Sequence, residues 1–414
     1  MPDGAAAANG SAYLVSQLVD GDHLTTSSYL DYGLTADTAL ALASTNDQDA
    51  ALARITGYLR AHVADYADPA GKAKDYPGPF SGAVAKLALV AEVTGQDPHS
   101  FGGYDLLQVL IDNVCTAPDS SGGYLCTAPG DFTQAYSTIS QALGVLALAR
   151  AGVTPPAAAV ARLEQLQCSD GGFTSTLITA GGTCTSDTDA TGYAAQALNL
   201  VPGAAAAVTA ARGYLLNAQQ SDGGFLGASG ENTNSTGLGG QALQAIGTTA
   251  PVITQSKDGA QLAPHAVPAG TDPLAAARAF LLAQQLGNGG FQIGAAQPGV
   301  ADARASSQAV PLLAGATLAG LSDPVTPVTP PVTAPSSGGS SAAGAPSGGL
   351  AHSTAPAPST QATDPAATAA LANTGSSARA PLGWALGLIA LGVLAMLLGR
   401  RRIKVPVPAS RRRH

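Results

Sequence analysis

Two carboxylates stand one residue apart in Asp187-Thr188-Asp189-Ala190-Thr191-Gly192, at the start of a predicted helix rich in Ala and Leu. Three kinds of chemistry suit that spacing. A carboxylate there can accept hydrogen bonds from the unpaired amides of a first helical turn. Two together can hold a hard cation. A carboxyl in an apolar setting keeps its proton and can serve as a general acid. Asn232-Thr233-Asn234-Ser235-Thr236-Gly237 repeats the pattern with neutral side chains, and Asp31, Asp131 and Asp302 also precede predicted helices.

Other catalytic signals are sparse. The six histidines (His23, His62, His99, His265, His352, His414) are scattered without His-Glu-x-x-His spacing, and no Asp-Asp-x-x-Asp run occurs. No metal site or cofactor is therefore expected. Up to Leu321 the chain carries 11 Lys and Arg, spread singly, against 25 Asp and Glu. That balance disfavours nucleic acid and offers no cluster for a diphosphate. Aromatics are 5% of residues and the only Trp is Trp384, so a cavity walled by π faces is not expected. Four cysteines admit three pairings. Cys115–Cys126 and Cys168–Cys184 are preferred because each closes a short loop around a Gly-Gly turn. Such bonds require an oxidising compartment.

The elements that must position these residues are marked by a recurring turn. Gln167-Cys168-Ser169-Asp170-Gly171-Gly172-Phe173 and Gln219-Gln220-Ser221-Asp222-Gly223-Gly224-Phe225 are its clearest copies. Gln284-Gln285-Leu286-Gly287-Asn288-Gly289-Gly290-Phe291 is looser, and Gly102-Gly103-Tyr104 and Gly122-Gly123-Tyr124 are degenerate. Repetition of this kind marks stacked supersecondary units that cannot bury their apolar faces alone. First helices are expected near 12–19, 48–65, 105–114, 155–166, 204–218 and 273–285. Second helices are expected near 31–44, 80–94, 132–151, 187–200, 232–246 and 302–319; they are Ala-, Leu- and Gly-rich on most faces and should form a buried inner layer. Six pairs predict a closed double ring. All inner helices would start at one end, bringing Asp31, Asp131, Asp187, Asp189, Asn232, Asn234 and Asp302 to one mouth. Convergent polar groups over an apolar barrel have the form of a small-ligand site. Helix N-termini there favour anions and the carboxylates favour cations or hydroxyls, which leaves the ligand's charge open.

On the Gln-x-x-Asp-Gly-Gly-Phe copies, residues 10–320 resemble the squalene cyclase and protein prenyltransferase repeat superfamily. The resemblance implies an all-α, α6/α6 toroid. Squalene–hopene cyclases carry Asp-x-Asp-Asp-Thr, whose third residue protonates the substrate alkene. Matching implies Asp189 as proton donor and Asp187 two residues before it, with Ala190 in place of the fourth-position acid. The superfamily also includes noncatalytic ligand carriers. The same segment resembles the opening of an EF-hand loop, but Leu198 stands where the closing Glu should be.

Beyond the toroid the composition changes twice. Residues 322–370 are Pro-, Ser-, Thr-, Ala- and Gly-rich and read as an extended, disordered linker. Residues 371–414 hold Leu371-Ala372-Asn373-Thr374-Gly375, an apolar run over 381–399, and then arginines. The run is long enough to cross a bilayer as one helix, and the arginines favour a cytoplasmic end. These parts in this order resemble a cell-wall sorting signal, with Ala372 in place of the usual proline. The resemblance implies sortase and peptidoglycan as partners and joining through Thr374. Residues 1–10 read as a disordered N-terminus, with no secretory leader at Met1.

The sequence thus predicts a wall-anchored surface protein, tethered transiently or permanently to the membrane, whose toroid over residues 11–321 binds an apolar or neutral ligand, or another surface component, without catalysis. A terpenoid-cyclase-like enzyme using Asp189, and a glycan-active enzyme, are the alternatives.

Overall fold

In the computed structural model, residues 2–330 are described apart from 73–77, 120–124, 228–229, 249–270 and 295–296. The helices run α1 (Gly4–Ser16), α2 (Tyr32–Ala43), α3 (Asp49–Ala61), α4 (Val63–Ala67), α5 (Ser81–Val93), α6 (Leu106–Asp112) and α7 (Thr138–Arg150). They continue as α8 (Ala157–Gln165), α9 (Thr188–Leu198), α10 (Ala205–Ala218), α11 (Thr233–Ile246), α12 (Pro273–Gln284) and α13 (Ala303–Ala314). Two-residue or three-residue ribbons connect several of them, such as Phe173–Thr174 with Ser186–Asp187.

Helices α2, α5, α7, α9, α11 and α13 bury nearly every residue, as chains of Ala, Leu, Val and Gly must. Each packs on the next, and α13 packs on α2, so the inner ring is closed. The amphipathic outer helices bury one face: α8 buries only Ala159, Arg162 and Leu163. Pairing is offset from the expected hairpins. Outer helices α3, α6, α8, α10 and α12 pack chiefly on the inner helix before them, and α1 packs on α13. The first helix of the chain thereby completes the last unit.

The Gln-x-x-Asp-Gly-Gly-Phe turn joins one unit to the next. Gln219 Nε2 donates to Gly223 O within the turn and to Pro273 O at the start of the next outer helix, both at 2.9 Å. Gln167 does the same with Gly171 O and Ala207 O. Gln285 bonds Gly289 O and Ala6 O, which ties the last unit to α1. Asp222 Oδ1 accepts Gly224 N, and Phe225 N donates to Thr236 Oγ1 on the following inner helix. Gly223 has φ +95°, and a Cβ there would lie 2.2 Å from Ala276 O. Only glycine satisfies both conditions.

Four expectations change. Residues 4–10 are helical rather than disordered, because Asp3 caps α1 through Ala6 N and Ala6, Ala7 and Gly10 are buried against the ring. Inner helix α7 begins at Thr138, capped by Ser137, while Phe132 belongs to the turn before it. Helix α13 ends at Ala314. The disordered linker does not begin at 322: the chain crosses the C-terminal end of the inner ring as a strap. Ala316 O accepts from Gln244, Leu318 N donates to Gln196 Oε1, and the Arg150 guanidinium donates to the carbonyls of Leu318 and Leu321. Asp323 N, Val325 N and Val328 N then donate to Val93 O, Thr94 O and Ala53 O at 2.8–3.1 Å. Val328 O lies so close to Gly57 that a Cβ there would sit 1.7 Å from it.

Disulfides Cys115–Cys126 and Cys168–Cys184 form, as expected, and no cysteine among the described residues is free. They indicate an oxidising environment. The chain divides into two units, Met1–Gly375 and Ser376–His414. The sorting pentapeptide 371–375, the apolar run 381–399 and the Gly122-Gly123-Tyr124 turn lie outside the described residues. No helix among the described residues is long and apolar enough to cross a membrane.

Candidate functional site

The residues expected at the mouth divide by what their side chains do. Asp31, Asp187, Asn232 and Asp302 are helix caps, accepting the amides of Leu34, Ala190, Ser235 and Ala305 at 2.7–2.8 Å. Asp131 is not at the mouth. It is buried between the turn before α7 and helix α8, 2.6 Å from Arg162 Nε, and accepts Ala128 N. Its role there is to neutralise Arg162. Asp189 and Asn234 are different again. Each is the second residue of its inner helix, past the capping position, and each is buried with Oδ1 accepting no hydrogen bond.

Spacing explains their orientation. Thr191, Thr236 and Ser306, fourth in their helices, bond the outer layer through the amides of Phe173, Phe225 and Phe291. At 3.6 residues per turn, the second and sixth positions then face the interior of the ring. The second positions are Gly33, Gly82, Ile139, Asp189, Asn234 and Arg304; the sixth are Asp37, Lys86, Leu143, Tyr193, Leu238 and Gln308. Lys86 Nζ lies 2.7 Å from Asp37 Oδ1, and Arg304 reaches Asp31 at 3.0 Å and Asp37 at 3.7 Å. Tyr193, on α9, feels the charges of Asp37, Asp189 and Arg304 from three different helices.

These interior positions keep a little surface where their helical neighbours keep none. Asp37, Leu40 and Tyr193 are 5–7% exposed, whereas Ala41, Leu42, Ala194 and Ala195 are at 0%. The interior of the ring therefore narrows to a shallow pit that these side chains nearly fill. From second to sixth residue its depth is about 6 Å, since a helix rises 1.5 Å per residue. Leu40, Leu89 and Leu146 form the next layer down.

Burial is the main reason that Asp189 is pushed up to about 7; the charge of Asp187 adds to it and Ser235 opposes it. Burial also raises Asp187, but the amides of Ala190 and Asp189 counter the shift. Asp189 is thus a neutral carboxylic acid through mildly acidic pH, able to donate as well as accept. Burial, with Asp37 and Asp189 adding, raises the Tyr193 phenol well above its ordinary value, so it too stays protonated.

The histidines, scattered along the chain, are partly gathered in space, together with tyrosines. Tyr32, Tyr58 and Tyr66 gather beside α2 with His23 and His62, at centroid distances of 4.4–6.0 Å. His23 and His62 are bonded to Asp22 and Asp65 at 2.7 and 2.8 Å. Tyr66 is raised well above its ordinary value by burial and then by Asp37 and Asp31, which places it against the ion network of the pit.

The EF-hand-like reading fails on backbone. Residues 188–198 are helix, and Thr191 Oγ1 donates to Asp187 O, so the segment cannot wrap around an ion. No cluster of three His, Cys, Asp or Glu suited to a metal occurs among the described residues.

Solved structures share this architecture. A protein from Actinoplanes aligns with TM-score 0.51 at 15% identity, covering 76% of this chain and 98% of that one. The apo type II terpene cyclase MstE from Scytonema aligns with TM-score 0.51 at 13% identity, covering 75% and 96%. An MstE variant in complex with geranylgeranyl dihydroxybenzoate aligns with TM-score 0.50 at 14% identity, covering 77% and 97%. The fold is a terpene-cyclase-like α/α toroid. No protein-family model and no curated protein matches the chain. At these identities the likeness is one of fold, and the toroid's chemistry must be argued from its own residues.

Asp37, Lys86, Tyr193 and Arg304 were not legible as site residues from motifs. The available signal was a lone charge in an apolar helix, as in Leu34-Thr35-Ala36-Asp37-Thr38-Ala39-Leu40 and Ala83-Val84-Ala85-Lys86-Leu87-Ala88. Buried charges of that kind require partners, and here the partners come from other helices.

Proposed function

We propose that this chain presents a small-ligand-binding toroid at the cell surface and that the pit within its inner ring is the binding site. The carrying observation is the pair Asp189 and Asn234, buried on adjacent inner helices with their Oδ1 atoms unpartnered. Polar atoms left unpaired in a protein interior are costly, and a ligand that completes them removes that cost. The pit's ion pairs and leucines supply orientation and an apolar base. Surface display is supported by the two disulfides and by the resemblance of residues 371–414 to a sorting signal. Sortase and peptidoglycan are the partners this reading implies. Native mass spectrometry of the protein purified from its producing cells tests it. A bound species of defined mass, lost in Asn234→Leu, is the expected result; an unliganded protein would count against the proposal.

A second reading makes Asp189 the general acid of a terpenoid-cyclase-like enzyme. It is supported by the burial and retained proton of Asp189 and by the shared fold. Against it, an acid raised to about 7 is weak for protonating an alkene. Lys86 and Arg304 are ion-paired with Asp37 and Asp31, so those carboxylates offer a carbocation no net negative charge. Incubation with linear polyprenes decides between the two readings. A cyclic product that disappears in Asp189→Asn would establish the enzyme.

A further inference from the structure

The strap beyond Leu321 is held differently from the ring it crosses. Leu321 is the last buried apolar side chain among the described residues. After it the fastening is backbone: Asp323 N, Val325 N and Val328 N donate to Val93 O, Thr94 O and Ala53 O at 2.8–3.1 Å, and Gln96 Nε2 donates to Val325 O at 2.9 Å. Pro324, Pro327 and Pro330 have no amide to add to that set. Val328 is 50% exposed, so little apolar surface backs these bonds. A surface segment gripped by a few bonds opens on its own, without unfolding the helices beneath it. Its seat is nonetheless specific. A Cβ on Gly95 would lie 2.9 Å from Pro324 Cβ, and one on Gly57 would lie 1.7 Å from Val328 O.

Asp323 is the one titratable side chain in this segment, and it is buried. Its Oδ2 accepts no hydrogen bond. The charges around it do not compensate it. Asp47, before α3, and Asp49, at its start, bring like charge to Asp323. Arg54 of α3 is engaged with Gly21 O at 2.8 Å. At the end of α5, Glu92 is paired with Arg150 of α7 at 3.1 Å, and that guanidinium also donates to the carbonyls of Leu318 and Leu321. A docked, ionised Asp323 is therefore an unpartnered carboxylate facing two others. Burial first, and then Asp49 and Asp47, raise its carboxyl above the ordinary value. The docked strap thus holds a proton that a released strap gives up. Docking is strongest in acid, below the ordinary carboxylate range, and weakens as pH rises through the docked value.

We propose that residues 322–328 form an acid-tightened latch: the strap closes over α5 and α3 with Asp323 neutral, and ionisation of Asp323 against Asp47 and Asp49 loosens it while the ring stays folded. Released back to Leu321, the segment reaches roughly 25 Å when extended. The latch therefore sets how far the following chain stands from the toroid. It is separate from the interior of the ring and does not depend on what the pit binds.

Hydrogen exchange of the full-length chain tests this, followed at the amides of Val325 and Val328 and corrected for intrinsic rates. Protection should fall by about threefold or more between pH 4.5 and 7.5, the scale of a pair of exposed like-charge contacts. Asp323→Asn should restore the acid value at pH 7.5 and leave the profile flat. Asp47→Asn, which keeps an acceptor for Thr45 Oγ1, should raise protection at pH 7.5 by less. In every protein the strap amides should exchange faster than those of inner helix α9. The latch is overturned by unchanged or lower protection at pH 7.5 in either variant. It is also overturned by a pH dependence that survives in Asp323→Asn, which would belong to Glu92 and Arg150. Equal protection at Val325 and Ala194 would overturn it too, since the strap would then open only with the ring.

Discussion

Arg304 Nη2 on the last inner helix lies 3.0 Å from Asp31 Oδ2, the capping carboxylate of the first, across 273 residues of sequence. The same guanidinium stands 3.7 Å from Asp37 Oδ2, one turn and a half further along α2. One side chain therefore bridges the seam where the ring closes and also helps to neutralise the pit. Arg304→Met should lower stability by about 2–3 kcal/mol, because it leaves two partly buried carboxylates short of a partner. Urea denaturation measures the loss, and Asp37→Asn in the same background should recover part of it.

Asp189 makes stability depend on pH in a defined direction. Its carboxyl is raised from 3.8 to about 7 in the folded chain, so the folded state binds the extra proton between those values. The stability that proton supplies is complete below pH 4 and is lost as pH rises through 7. The loss is about 4 kcal/mol at most, at 1.36 kcal/mol per pH unit. Asp189→Asn should flatten the profile, raising the melting temperature at pH 8 and changing it little at pH 4. Thermal melts of both proteins across that range provide the check; parallel profiles would contradict the assignment.

The turn residues should be the least replaceable in the chain. Gly223→Ala places a methyl 2.2 Å from Ala276 O at a φ of +95°. A cost of about 3 kcal/mol or more is expected from strain and displacement together. Gln219→Ala removes two bonds and strands two buried carbonyls, for about 2–3 kcal/mol. Denaturant midpoints of the two variants test both values.

Truncation separates packed strap from linker. Ending the chain after Pro330 should leave the toroid's melting temperature unchanged. Ending it after Leu321 removes the bonds of Asp323, Val325 and Val328 and the bond from Gln96 to Val325 O. At about 1 kcal/mol each, the expected loss is about 4 kcal/mol. Scanning calorimetry of the two truncations distinguishes them.

Reduction should destabilise the toroid. The disulfides close loops of 11 and 16 residues. Each is worth about 3 kcal/mol on loop-closure grounds. Denaturant midpoints with and without reductant measure the effect, and mass spectrometry of alkylated protein confirms that both bonds were opened.

Much of the scaffold was readable along the chain because its rules are local. Ala and Leu on every face predicted α5 and α9 as inner helices, and Asp187 and Asn232 sit where caps belong. Where rules were not local, the reading slipped. Asp131 looked like a cap until its salt bridge with Arg162 appeared. The segment after Leu321 has a linker's composition, yet it is ordered by backbone acceptors at the end of α5 and within α3 that its own sequence does not reveal. Residues 1–10 read as a disordered N-terminus, but helix α1 is required to complete the last unit.

By itself the sequence determined the repeating staple: Gln, Gly and Phe at fixed spacing make the same bonds in each clear copy, and short-range geometry suffices to specify them. Only the tertiary structure decided which polar side chains meet. Asp37, Lys86, Asp189 and Arg304 belong to four helices and become neighbours because the ring closes. The proton held by Asp189 has the same origin, since desolvation depends on what surrounds a group in space and not on what precedes it in the chain.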